Sequence, residues 1–333
     1  MLEQAIYENY GIQMERQEPV GGYHAFISRD TLFSIIPLQE INEADLKERL
    51  GMSEHLKMQG DKYVSSFVMS KNQTYISEAD GTIFLLLSNP LLKEPRDLHL
   101  GRKLARFHIR GRSYPSQVKE CSRIGQWKGM WEQRIDQLET VWREKLQSHP
   151  NNEVERIFVE SFPYYMALGE NAIQYLVDTE IDEQPGEPDA GTVSHERFSK
   201  QTWAGKYLVR NPFQWVFDHR SRDISEWIRQ HYLLNPHTYQ PQMKDFVSHY
   251  QRTSPLTAFS ARLLYSRLLF PIHYYETIEN YFIAGAESKQ NELQESLETM
   301  INRSHLYEAF LQSFYEASEI PARALKLPKL DWL

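Results

Sequence analysis

Cysteine is nearly missing from this chain: Cys121 is the only one in 333 residues. A lone thiol excludes an intramolecular disulfide and any multi-cysteine zinc site, suits a chain made in a reducing cytosol, and leaves only a bond between two molecules open. An excess of positive charge is missing as well. The 37 Lys and Arg are outnumbered by 45 Asp and Glu, for a formal net charge of -8, so nothing draws the whole molecule to nucleic acid or anionic lipid, and only local basic patches stay open. Long apolar runs are the third absence. The opening MLEQAIYENYGIQMERQ carries Glu3 and Glu8 and no stretch of signal-peptide length, and nothing downstream approaches a membrane span, so neither Sec-type export nor membrane insertion is expected. Nor is there an internal repeat. With 41% hydrophobic and 25% charged residues, the chain is of the globular class and long enough for two lobes with a sizeable core.

Short apolar runs dominate the first part. From Val20 to Leu38, YHAFIS and TLFSIIPL alternate with the turn signals Gly21-Gly22 and Arg29-Asp30, as successive antiparallel strands do. Asn42 then opens a helix with Asp45 three residues on and Leu46, Leu50 and Leu56 as its apolar positions, running to about Gln59 before Gly60. Strands resume with YVSSFVMS and TYISEA, the hairpin signal Asp80-Gly81, and TIFLLL, a run apolar enough for burial. After Pro90 helical periodicity takes over. Helices are expected in DLHLGRKLARFHIRG, around Trp131, Ile135, Leu138 and Trp142, from Val154 to Val177, and from Pro255 to Phe314. The acidic stretch from Asp178 to Gly191 reads as an exposed, solvated loop and lacks the spacing of a calcium loop. The expected fold is therefore α+β, with an N-terminal lobe of residues 1–89 built on a small antiparallel sheet with one helix, and a larger, mainly helical lobe of residues 90–333.

One loop speaks to chemistry. In kinase-type catalytic loops a His is followed two residues later by an Asp that takes the substrate hydroxyl's proton, and five beyond that by an Asn that holds magnesium. In VSHERFSKQTW those places read His195, Arg197 and Thr202. Taken with LGRKLARFH, with WVFDHRSRDISEWI and with LLYSRLLFPIHYYETIENYF, in that order and spacing, the loop resembles the bilobal kinase-like fold of aminoglycoside and choline phosphotransferases. Over nearly its whole length the chain most closely resembles the kinase-like spore coat proteins of bacilli, the CotS and YutH branch. The resemblance implies that Asp218 matches the family's metal-binding Asp and that Asp223 matches an Asp bracing the catalytic loop; a helix N-cap for ISEWIRQ is an equal reading of Asp223.

The departures fall on the chemistry. Arg197 stands at the base position, and a guanidinium stays protonated and only donates, so it cannot accept a proton. Adjacent Glu196 points to the opposite face of an extended segment and is a poor substitute. Thr202 replaces the magnesium-binding Asn, and with Arg197 facing Asp218 an ion pair is expected in place of a metal site. A kinase-type site also expects a Lys on the third strand paired with a helix Glu. TLFSIIPLQEI has none; the matching place falls near Ile36 or Pro37, and Glu48 and Glu54 then read as a solvated helix face. VGGYHAF offers two glycines but not the spaced triple-Gly phosphate loop, and an ordinary hairpin turn is at least an equal reading.

These losses together read as a pseudokinase, with no catalytic residue, cofactor or metal expected and His195, Arg197, Thr202, Asp218 and Asp223 as vestigial phosphotransfer positions. By resemblance alone the function is a structural or assembly role in the bacterial endospore coat, made in the mother-cell cytoplasm, with other coat proteins as partners. The alternatives are a nucleotide-binding scaffold and an active small-molecule phosphotransferase. Blander readings cover the rest: the histidines from His195 to His249 lack zinc spacing, Trp127, Trp131 and Trp142 read as core, and the basic residues Arg96, Arg102, Lys103, Arg106, Arg110 and Arg112 read as a solvated helix face before an acidic-partner site.

Overall fold

A computed structural model describes residues 2–93, 99–328 and 330. Arg96 of the basic stretch, Asp97 and Leu98 of the helix candidate DLHLGRKLARFHIRG, and the end of the expected lobe junction SNPLLKEP lie outside the described residues. Two compact units form, one of Met1–Ser122 with Gly191–Asp223 and one of Arg123–Ala190 with Ile224–Leu333. The expected lobe division at residue 89 falls inside the first of these units.

The first unit opens with α1 (Leu2–Tyr10) and a short β1 (Arg16–Gln17), neither of which the sequence reading anticipated, followed by β2 (Ala25–Ser28) and β3 (Thr31–Leu38). Arg29, with φ of 54°, makes the turn between β2 and β3. Next come α2 (Glu43–Met58), β4 (Ser66–Phe67), β5 (Ile76–Ala79) and β6 (Thr82–Pro90). Asn42 caps α2 by accepting the Asp45 N–H at 3.0 Å, which satisfies one of the orphan donors of its first turn. Asp80 and Gly81 both take positive φ, 52° and 74°, the geometry that a two-residue hairpin requires. The sheet runs β1-β2-β3-β6-β4 with β5 also on β6, and all these pairs are antiparallel. Of YVSSFVMS only Ser66–Phe67 pairs as strand.

Both faces of the central pair are buried, which is why TIFLLL is apolar without alternation. Ile35, Phe84 and Leu86 pack with Ile6 of α1 and Phe26 on one face. Ile36, Leu85 and Leu87 pack on the other with Leu46 of α2, Phe67 and Phe213. Each such side chain contributes about 1.5–3 kcal/mol on burial. Pro37 is tolerated because β2 pairs only with residues 31 to 34 of β3, so its missing N–H falls beyond the β2 ladder. The unit is completed by α3 (Leu100–Arg112) and by the strand pair β7 (Thr192–His195) and β8 (Trp215–Asp218).

The second unit contains α4 (Trp127–Ser148), α5 (Glu153–Asp182) and most of α6 (Ser221–Leu234), followed by α7 (Gln240–Gln251), α8 (Ala258–Leu269), α9 (Ile272–Ile283), α10 (Glu287–Asn302) and α11 (Ser304–Ala317). Trp127 and Trp131 are core, as expected; Trp131 stacks on Phe270 with centroids 4.6 Å apart. The acidic stretch is not simply an exposed loop. It is helical to Asp182, and Asp189 is buried, accepting the hydroxyls of Thr257 at 2.6 Å and Ser260 at 2.5 Å. No described helix is long and apolar enough to cross a membrane.

Candidate functional site

The site is assembled within the first unit on three supports. Along the β7–β8 ladder Thr192 lies opposite Asp218 and His195 opposite Trp215. Beside it passes α3, where Gly111 permits very close approach: a Cβ there would lie 2.7 Å from the Val193 backbone nitrogen and 2.6 Å from Thr192 Oγ1. Thr192 Oγ1 donates to the His108 carbonyl at 2.7 Å, tying strand to helix. The third support is the first turn of α6, which carries Arg222 and Asp223.

Asp223 is fully buried and holds the His-led loop from beneath. Its Oδ1 accepts the His195 backbone N–H at 2.8 Å, and its Oδ2 accepts His195 Nδ1 at 2.7 Å and His108 Nε2 at 3.1 Å. Burial alone would raise this carboxyl, but the His195 and His108 rings outweigh it and hold it well below its ordinary value. His108 also lies below a free histidine, because burial lowers it more than the Asp223 contact raises it. Asp223 is not an N-cap, since α6 already begins at Ser221 and the carboxylate is engaged by the two histidines. The His195 ring sits among Phe107, Phe198 and Trp203, with centroids 4.9 to 5.4 Å away, and its Nε2 is buried with no hydrogen-bond partner.

Asp218 is also fully buried. Oδ1 accepts the His219 N–H at 2.7 Å and Oδ2 pairs with the Arg222 guanidinium at 2.8 Å. The ion pair expected on Asp218 therefore forms with Arg222 as cation, a residue the sequence reading passed over. Arg222 also donates from Nε to the His195 carbonyl at 3.0 Å and reaches the Glu196 carboxylate at 3.3 Å. His195, Asp218, Arg222 and Asp223 thus form one hydrogen-bonded set.

Thr202 is engaged elsewhere. Its Oγ1 accepts the Ser199 N–H at 2.9 Å and donates to the Arg197 carbonyl at 3.4 Å, closing the turn that continues into a short helical segment, Lys200–Trp203. Arg197 itself is exposed on that loop.

On the sheet side, β3 carries no lysine, and the helix acids do other work. Glu48 is not a solvated helix residue: its carboxylate accepts the backbone N–H groups of Lys119 at 2.7 Å, Glu120 at 3.2 Å and Cys121 at 2.9 Å. Neighbouring Arg49 donates to the carbonyls of Pro212 at 2.7 Å and Trp215 at 3.0 Å. Glu54 is exposed. Thus α2 directs its polar side chains to the segments flanking the strand pair.

An antiparallel sheet with one helix between its strands, continuing to a buried strand pair that carries a His-led loop and an Asp, is the architecture of kinase-like phosphotransferases. The structure superposes on an aminoglycoside phosphotransferase from Alicyclobacillus acidocaldarius with TM-score 0.68, covering 96% of this chain and 97% of that one at 12% identity. A spectinomycin phosphotransferase solved with ADP and spectinomycin follows at TM-score 0.59, covering 92% and 95% at 10% identity. At such identities the likeness establishes the kinase-like α+β fold alone. Sequence places the chain more narrowly. It belongs to the family described as "Spore coat putative kinase YutH", which matches residues 3–314. Over 334 aligned positions it is 40% identical to the endospore coat-associated protein YutH of Bacillus subtilis (strain 168), covering 100% of this chain and 98% of that protein.

Proposed function

We propose that this chain is a kinase-shaped structural or assembly component of the bacterial endospore coat that does not transfer phosphoryl groups. The coat role follows the name of its Bacillus relative and is strengthened by identity along the full chain. The loss of catalysis rests chiefly on one observation, the buried Asp218–Arg222 pair. A magnesium site needs carboxylate oxygens and dehydrates the ion reluctantly. Here one Asp218 oxygen is held by a guanidinium and the other by a backbone N–H. Two unit charges about 4 Å apart interact by about 4 kcal/mol at an effective dielectric near 20, and a divalent ion doubles the repulsion from the arginine. The residues therefore do not fit magnesium. The remaining parts agree: Arg197 offers donors where a base is required, Thr202 closes its own loop, and β3 has no phosphate lysine. A positioned general base alone contributes about a hundredfold to ten-thousandfold in rate.

The test is a fluorescent fusion of the full chain followed through sporulation, paired with the Asp218→Ala variant. Fluorescence at the spore periphery that is unchanged by the substitution is the expected result, because no step of the role passes through a metal. Diffuse fluorescence throughout the sporulating cell contradicts the coat role, and loss of localisation in a variant that still folds contradicts the non-catalytic one.

A further inference from the structure

The basic face of α3 is more than a solvated surface. Lys103, Arg106 and Arg110 are spaced three and four residues apart, so they share one side of the helix, where like charges oppose one another. They line a cavity of about 230 Å³ together with Lys62 and Arg210. Among the described residues Asp61 is the only acid on its wall, and its carboxylate is shared between Arg210 and Arg110, the latter at 3.3 Å. In a chain whose net charge is -8, the described wall of this cavity gathers five cations around one carboxylate.

Two further groups on the wall point to an acceptor. Trp203 and Arg210 are nearly fully buried, and the indole Nε1 and the guanidinium Nε each lack a hydrogen-bond partner. A buried donor left unsatisfied is destabilising, so each of these groups favours an acceptor. Arg210 is held in place by lying 4.1 Å from the Trp203 ring centroid. Its carbonyl accepts the Ser65 N–H at 3.1 Å and its own N–H reaches the Tyr63 carbonyl at 2.9 Å, so the wall is built on paired backbone.

We propose that this cavity is a binding site for a small, multiply charged oxyanion of the phosphate type. Planar guanidinium groups match the oxygens of such an anion bidentately. Size limits the ligand: the volume equals that of about eight liquid waters and falls below the roughly 300 Å³ at which pockets begin to bury drug-sized molecules. Pyrophosphate is of that size, whereas a nucleotide would have to extend beyond the cavity. None of His195, Arg197, Thr202, Asp218 and Asp223 lines the cavity, although Trp203, the last residue of VSHERFSKQTW, does.

Titration calorimetry of the full chain with pyrophosphate and with ADP, at fixed ionic strength, tests the assignment. The variants are Lys62→Glu and Arg106→Glu, both at exposed side chains, where substitution is expected to leave the fold intact. Pyrophosphate is expected to bind at least as tightly as ADP, and each reversal to weaken it about tenfold or more. Absence of pyrophosphate binding to the unaltered chain overturns the proposal. So does binding that both variants retain unchanged, and so does ADP binding far tighter than pyrophosphate and indifferent to the reversals, which would locate the anion in another cleft.

Discussion

Arg222 is the side chain on which the local arrangement turns, and Arg222→Met measures its weight. The methionine keeps most of the length and removes the guanidinium that contacts Asp218 Oδ2 at 2.8 Å and the His195 carbonyl at 3.0 Å. Arg222 is 5% exposed and Asp218 0%, so the pair is shielded from the screening that makes surface ion pairs weak. Withdrawing one partner of a buried pair typically costs about 3–5 kcal/mol, because the other charge stays behind in low dielectric. The substitution should lower the opening free energy of the first unit by that amount. A two-unit chain need not unfold in one step, so the appropriate assay is native-state hydrogen exchange read on peptides from β7 and β8. Asp218→Asn and the double variant complete a cycle whose coupling is expected above about 1.5 kcal/mol. A loss below about 1 kcal/mol in Arg222→Met, or a coupling near zero, refutes the reasoning that the buried pair organises the site. ATP hydrolysis is not expected in this variant, because the proposed reading places Arg197 at the base position.

Gly111→Ala should destabilise the first unit by about 1–3 kcal/mol despite the better helix propensity of alanine, because the added Cβ meets the Val193 backbone at 2.7 Å and backbone yields little; a raised melting temperature contradicts the packing described. His273 is pushed down to about 3 by burial beside Arg229. Its contribution is therefore complete above its ordinary value of 6.5 and declines as pH falls toward 3, at about 1.4 kcal/mol per pH unit. Unfolding titrations of His273→Gln should show a flatter acid limb over that window, and an unchanged slope sinks the assignment. Burial raises the Cys121 thiol far above its ordinary value, and the chain is 1% exposed there. Iodoacetamide should consequently label Cys121 only in denaturant; rapid labelling of the native protein at mildly alkaline pH would show an accessible thiolate.

Local signals in the sequence carried as far as local physics decides the outcome. Thr31–Leu38 is a strand over the whole stretch read as one, Asn42 caps α2 through Asp45, and Asp80-Gly81 makes its hairpin. Each depends on neighbours a few residues away. Where distant segments decide, the reading fell short. YVSSFVMS has strand composition, yet Ser65 turns its N–H to the carbonyl of Arg210, 145 residues on, and the β ladder covers only Ser66 and Phe67. Glu48 looks like any helix glutamate until residues 119 to 121 arrive with three N–H groups. In the site, His195 and Asp223 were singled out by the family resemblance and do meet, whereas the cation on Asp218 proved to be Arg222. The signal was present as Asp218-x-x-x-Arg222, but the interval crosses from the end of a strand into a helix, where sequence spacing does not fix which side chains touch. His108 likewise became readable only once Gly111 had let α3 reach β7.

The central claim, a kinase-like body without phosphotransfer, is met most directly by measuring phosphate release from ATP by the purified chain, with and without magnesium, beside Asp218→Ala. The account predicts release at the level of buffer for both proteins, unaffected by magnesium. Magnesium-dependent release by the unaltered chain that disappears in Asp218→Ala would contradict it, because that result requires the carboxylate held by Arg222 to bind metal.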